Sequence, residues 1–136
     1  DLFETNYLGT FLFSRECSKL MMKQKCGRII NFSTVAVPLN LEGEMVYASS
    51  KSAIETMTKI LSKEISDFNI TVNLIGPTPV KTDLIKVVPK DKIEEILNKQ
   101  TLKRYGTFDD VSNVIDFFIS DKSSFITGQK IYLGGL

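Results

Sequence analysis

Gly27-Arg28-Ile29-Ile30-Asn31-Phe32-Ser33-Thr34 is the stretch on which the fold turns. Gly27 ends the helical run before it, and the short, largely apolar, β-branched residues that follow predict a buried parallel strand. Upstream, over residues 2–22, Phe3, Tyr7, Leu8, Phe11, Leu12, Leu20 and Met21 fall mostly at three- and four-residue spacings. That period predicts a helix with a broad apolar face, wide enough for contacts on two sides. Downstream, a turn-rich segment at 38–43 leads into a second long helix over about residues 44–67, with Ile54, Met57, Leu61, Ile65 and Phe68 in one stripe. Ile70-Thr71-Val72-Asn73-Leu74-Ile75 predicts a second strand, ended by Gly76-Pro77-Thr78-Pro79, which can continue neither helix nor ladder.

Residues 83–100 hold short charged helical pieces around 84–88 and 92–97, a composition suited to a mobile lid that touches substrate. Thr107 and Asp110 have capping-box spacing ahead of a helix whose apolar stripe is Phe108, Val111, Ile115 and Phe118. After a turn at Thr127-Gly128, residues 130–133 predict a last short strand. Strands alternating with helices imply a doubly wound α/β fold, a parallel sheet covered on both faces.

The 136 residues suit one domain or part of one, and 43% apolar with 24% charged residues is ordinary for a soluble globular protein. A net charge of +1, from 17 basic and 16 acidic residues spread along the chain, supplies no basic face for nucleic acid. No apolar run approaches the roughly 20 residues that cross a bilayer, so no membrane partner is expected. Cys17 and Cys26 match neither a zinc spacing nor a disulfide framework, and a reducing cytoplasm is the expected location. Histidine is absent, which removes Ser-His-Asp and Cys-His nucleophile systems and leaves acid-base work to tyrosine, lysine and carboxylates.

Tyr47 and Lys51 are four residues apart on the second helix and share a face. An ammonium near a phenol favours the phenolate and would lower a pKa that is ordinarily about 10. Ser33 and Thr34 end the first strand, and open parallel sheets bind ligands at the carboxyl ends of their strands. A hydroxyl there could hold a substrate oxygen beside the tyrosine, or could merely satisfy turn backbone groups. Asn6 lies in an otherwise apolar helix, where the alternative to a role is a solvent-facing amide.

Together, the 27–34 run, Tyr47-Ala48-Ser49-Ser50-Lys51-Ser52-Ala53, Thr71-Val72-Asn73, Pro77 and Thr82-Asp83 resemble the short-chain dehydrogenase/reductase family, over essentially the whole chain. The likeness is greatest to its 3-oxoacyl-(acyl-carrier-protein) reductase branch. It implies a Rossmann-like, three-layer fold of which residues 1–136 are the carboxy-terminal half. It implies an oxidoreductase that interconverts a carbonyl and an alcohol with NAD or NADP, NADPH being slightly favoured. Tyr47 matches the catalytic acid/base, and Lys51 the lysine that lowers its pKa and holds the nicotinamide ribose. Thr34 stands where the family has its catalytic serine, with Ser33 beside it as a further substrate contact. Asn6 matches the asparagine that holds a water in the proton relay. Pro77, Val80 and Thr82 match positions lining the nicotinamide carboxamide, while Thr78 stands where glycine is usual.

The resemblance also implies a homodimer or homotetramer built on the two long helices, and a small carbonyl or alcohol substrate that this branch carries on an acyl carrier protein. The family's glycine-rich dinucleotide turn is not in these residues, so a fragment that binds cofactor poorly by itself is expected. Two rival readings are a non-catalytic dinucleotide-binding or regulatory protein, and an interaction fragment whose helices pair with a partner.

Overall fold

The computed structural model describes residues 1–136. Three parallel strands, β1 (Gly27–Phe32), β2 (Ile70–Gly76) and β3 (Lys130–Tyr132), lie side by side in that order. β1 pairs with β2 from Gly27↔Ile70 to Phe32↔Ile75, and β2 with β3 from Leu74↔Lys130 to Gly76↔Tyr132. Central β2 is buried at every residue, as a near-continuous apolar run should be in a parallel sheet. β1 pairs on one side only.

The helices are α1 (Gly9–Gln24), α2 (Ala36–Leu39), α3 (Met45–Glu64), α4 (Lys90–Lys99) and α5 (Phe108–Ile119). α1 and α3 pack on β1 and each other, α3 also on β2, and α5 packs on β1 and β2 as a separate layer. The expected doubly wound architecture is therefore present, as a three-stranded parallel sheet flanked by helices. None of the helices is long and apolar enough to cross a membrane.

Several local expectations change. The first predicted helix opens with a π-helical turn, Glu4–Leu8, in which the Gly9 N–H reaches the Glu4 carbonyl five residues back. Such turns cluster at functional sites, and this one carries Asn6. Gly27 does not end α1. Lys25 does, in the left-handed conformation at φ 53° with its N–H on the Met21 and Met22 carbonyls. Gly27 is required for a different reason, because a β-carbon there would collide with the Met21 side chain. The turn-rich 38–43 segment is entered through the one-turn helix α2 and reverses through Asn40 and Gly43 at positive φ.

Two apolar clusters hold the sheet. Ile29, Ile65, Ile70 and Val72, with Met21, Met22 and Leu61 against them, fill the amino end beneath α1 and α3. Val35, Ala36, Leu41 and Ile96 form the second, at the carboxyl end, with Leu39, Tyr47 and Tyr132 packed on it. The segment expected to be only a lid is thus partly core, since Ile93 and Ile96 of α4 are buried. The predicted capping box of α5 forms: Asp110 N–H donates to Thr107 Oγ1 (3.1 Å) and Thr107 N–H to Asp110 Oδ2 (2.8 Å). Arg104 bonds both oxygens of Asp110 and holds that carboxyl well below the usual range. Phe108, predicted to face inward, is exposed, whereas Phe118 is fully buried.

The apolar face of α1 is mostly uncovered. Phe11, Leu12 and Leu20 are exposed, and the buried residues of the helix are Ser14 and Ser18. Ser14 reaches Asn31 Oδ1 at 3.5 Å, and the Asn31 amide donates to Thr58 Oγ1 at 2.9 Å. Small polar residues therefore stitch α1, β1 and α3 at close approach while the large apolar ones point away.

Candidate active site

The carboxyl ends of β1 and β2 open into a cavity of ≈ 410 Å³. One wall is Ser33, Thr34 and Tyr47, another is the 77–82 loop, and Leu84, Ile85, Val88 and Ile93 close over it. The proline-rich stop after β2 explains this layout: Pro77 and Pro79 cannot extend the ladder, so the chain leaves the sheet at its ligand-binding edge. The loop is pinned rather than loose, with Val35 N–H on the Pro77 carbonyl (3.2 Å) and Gly106 N–H on that of Pro79 (2.9 Å).

Tyr47 is half-buried in α3, and it lines this cavity together with Thr34. Thr34 Oγ1 also accepts from the Ala36 N–H at 3.3 Å, so the turn-satisfying role and the site-forming role coexist in one hydroxyl. Burial raises the Tyr47 pKa above the ordinary tyrosine value, the neighbouring Thr34 hydroxyl opposes that rise, and the Glu44 carboxylate adds to it. The expected lowering by Lys51 is therefore not what these residues produce.

Lys51 shares the Tyr47 face of α3, but its ammonium donates to the Phe32 carbonyl (3.2 Å) and lies 6.0 Å from the Tyr47 ring centroid. Burial lowers its own pKa. It lines a different cavity, ≈ 540 Å³ along the open edge of β1, shared with Gly9, Thr10 and Arg28. Tyrosine and lysine thus line different cavities although their side chains are neighbours on α3.

Asn6 is half-buried, not solvent-facing. Its amide donates to Ser50 Oγ (3.2 Å), which donates to the Tyr47 carbonyl (2.7 Å), while the Asn6 carbonyl accepts from Thr10 Oγ1 (2.7 Å). It is brought to α3 but bonds neither Lys51 nor the phenol. Pro77, Val80 and Thr82 all line the cavity with Tyr47. Thr78 is buried with Oγ1 unpartnered, and its backbone is not in the left-handed region where only glycine is comfortable. Its methyl fits because the facing residue is Gly106, where a β-carbon would come within 2.8 Å of it.

Ser33 also sits in the cavity wall, yet its hydroxyl is committed elsewhere, donating to Glu55 Oε1 at 2.5 Å. Glu55 was missed by the sequence reading. It is 7% exposed and also accepts from Tyr132 (2.5 Å) and, through Oε2, from Lys130 (2.9 Å). The available signal was spacing, since Tyr47, Lys51 and Glu55 recur every four residues along α3.

Comparison with known proteins agrees with the fold. The family model described as enoyl-(acyl carrier protein) reductase matches residues 1–135. The 3-oxoacyl-(acyl-carrier-protein) reductase of Rickettsia felis is 37% identical over 132 residues, 97% of this chain and 55% of that protein. Those of Salmonella typhimurium (31% identical, 99% and 55% covered) and Aquifex aeolicus (32%, 99% and 54%) are similar. An NAD+-bound xylitol dehydrogenase superposes with a TM-score of 0.85 at 26% identity, over 96% of this chain and 56% of its own. The chain spans about half the length of the curated relatives it matches. With a family model matched almost end to end, and the expected parallel sheet in place, the chain belongs to the short-chain dehydrogenase/reductase family.

Proposed function

We propose that residues 1–136 are the carboxy-terminal part of a single dinucleotide-binding domain in a longer oxidoreductase, one that interconverts a carbonyl and an alcohol with NAD or NADP. The observation that carries this reading is that Thr34 and Tyr47 line one cavity together with the 77–82 loop at the carboxyl ends of the strands. A hydroxyl pair there can hold one oxygen of a substrate and exchange its proton, which is the acid-base half of such a reaction. The nicotinamide, when bound, supplies or accepts the hydride.

The residues present fit that group. Pro77, Val80 and Thr82 would hold its carboxamide end, and the unpartnered Thr78 hydroxyl leaves a hydrogen-bonding atom free beside them. Lys51, turned to the β1 edge, would hold the ribose, with Asn6 fixing the π turn behind it. Thr34 orients the substrate oxygen and Tyr47 gives or takes the proton.

The lid points to the substrate class. Leu84, Ile85, Val88, Ile93 and Ile96 offer an apolar slot better matched to an acyl chain than to a polyol. With the named relatives, this supports a 3-oxoacyl thioester over a sugar alcohol. The uncovered faces of α1 and α3, which frame a groove lined by Tyr7, Phe11, Met57 and Ile60, support a homodimer or homotetramer. The test is nicotinamide oxidation by the longer protein with an acetoacetyl thioester, comparing wild type with Tyr47→Phe. Turnover that collapses in the variant supports the reading. Cofactor binding without turnover on any carbonyl substrate, or equal turnover in both, overturns it.

A further inference from the structure

Resting on that reading, we infer that Ser33, Glu55 and Tyr132 form a positioning bracket that fixes the distance between the Thr34 hydroxyl and the face of α3 carrying Tyr47. Glu55 lies two helical turns beyond Tyr47 on the same face, and it is buried between three elements. Its Oε1 accepts from Ser33 at the end of β1 and from Tyr132 on β3, and its Oε2 takes the Lys130 ammonium at 2.9 Å. One carboxylate thereby ties helix α3 to both flanking strands of the sheet.

Each tie bears on a part of the site. Ser33 is the residue immediately before Thr34, so holding its side chain holds the backbone from which the Thr34 hydroxyl projects. Tyr132 crosses the central strand. A β-carbon at Gly76 would collide with its ring, and Gly76 is the residue from which the 77–82 loop departs. The same ring packs on the Val35, Ala36, Leu41 and Ile96 cluster, against which Tyr47 also packs. The roots of the substrate hydroxyl, the cofactor loop and the acid-base helix therefore meet at one buried carboxylate.

A buried carboxylate is a costly way to fasten three elements that apolar packing could fasten instead. What it adds is direction, because hydrogen bonds specify angle and distance where apolar contacts do not. A proton exchange between hydroxyls needs that accuracy, and misplacement of about 1 Å in such a site costs about a hundredfold in rate. Glu55 touches neither substrate nor cofactor loop itself, so it acts through Ser33 and Tyr132.

The experiment compares Ser33→Ala, Glu55→Gln, Tyr132→Phe and the Ser33→Ala/Glu55→Gln double variant in the longer protein. Ile70→Val, a core truncation at the far end of β2, serves as a control that lowers stability without touching the bracket. Each bracket variant should lower kcat about tenfold while leaving the Kd for nicotinamide cofactor within about twofold, and the double variant should be no slower than the slower single. Ile70→Val should lower Tm and leave kcat unchanged. Bracket variants at wild-type kcat, or Ile70→Val as slow as they are, overturn the inference. A readout independent of turnover is methyl relaxation at Thr34, whose side-chain order should fall in Ser33→Ala and Glu55→Gln but not in Ile70→Val. An inactive wild type would count against the proposed function alone, whereas unchanged Thr34 order would count against the bracket whether or not the protein turns over.

Discussion

At its amino end the sheet is sealed by Ile29, Ile65, Ile70 and Val72, with methionines and leucine packed around them. At its carboxyl end the same strands deliver Ser33, Thr34 and the loop after Gly76, and α3 brings Tyr47, Lys51 and Glu55 against them. Burying each aliphatic side chain at the first end contributes about 1.5–3 kcal/mol. The second end holds a buried carboxylate, a half-buried phenol and a threonine hydroxyl with no partner, groups that are neutral or costly for stability. The amino end is therefore apolar packing, whereas the carboxyl end adds polar groups placed for the site to its own cluster of Val35, Ala36, Leu41 and Ile96, so changes to those polar groups should affect rate and truncations at the amino end stability.

The largest effect that would sharpen this contrast is Tyr47→Phe. It should lower kcat about a thousandfold in the longer protein with little change in unfolding midpoint, read by nicotinamide absorbance and by urea titration. Loss of the fold instead of the rate would break the comparison. Ile70→Ala is its mirror image, expected to cost about 2–5 kcal/mol in urea unfolding with kcat per folded molecule unchanged. Thr107→Ala, at neither end, removes half of the α5 capping box and should cost about 1 kcal/mol with no effect on rate.

The smallest effect is alkaline. Burial raises the pKa of Tyr47 and Tyr132 above the unfolded value of 10.0, and the Glu55 carboxylate raises Tyr132 further. A raised phenol binds its proton more tightly in the folded state, so its contribution is complete below pH 10 and is lost as the pH climbs through the folded value. Tm should therefore fall more steeply above pH 10 in wild type than in the Tyr47→Phe/Tyr132→Phe double variant, measured by thermal melts across that range. Parallel curves would show that the carboxyl end is no harder to ionise than solvent-exposed tyrosine.

Much of the fold was legible because its signals are local. Period and length identify α3 and β2, Pro77 and Pro79 mark where the chain leaves the sheet, and Thr107 with Asp110 marks the start of α5. The errors arise where a distant side chain decides. Gly27 reads as a helix stop but is small because Met21 lies across it, and the lid segment reads as mobile although Ile96 reaches the Val35 and Leu41 cluster. In the site, Tyr47, Thr34, Pro77, Val80 and Thr82 were identified by motif and lie around one cavity. Ser33 reads as a substrate contact from its place beside Thr34, and only the fold shows that its hydroxyl donates to Glu55 on α3.

By itself the sequence determined the order of strands and helices, the parallel class of the sheet, the family and the residue types at the site. These depend on spacing along the chain, which sequence records directly. Only the tertiary structure decided that Lys51 turns to the Phe32 carbonyl and the β1 edge, that Tyr47 is harder to ionise than a free phenol, and that Glu55 joins α3 to β1 and β3. The Lys51 and Glu55 contacts depend on partners 19 to 77 residues away in the chain and the Tyr47 shift chiefly on burial, and none of these is encoded in a local pattern.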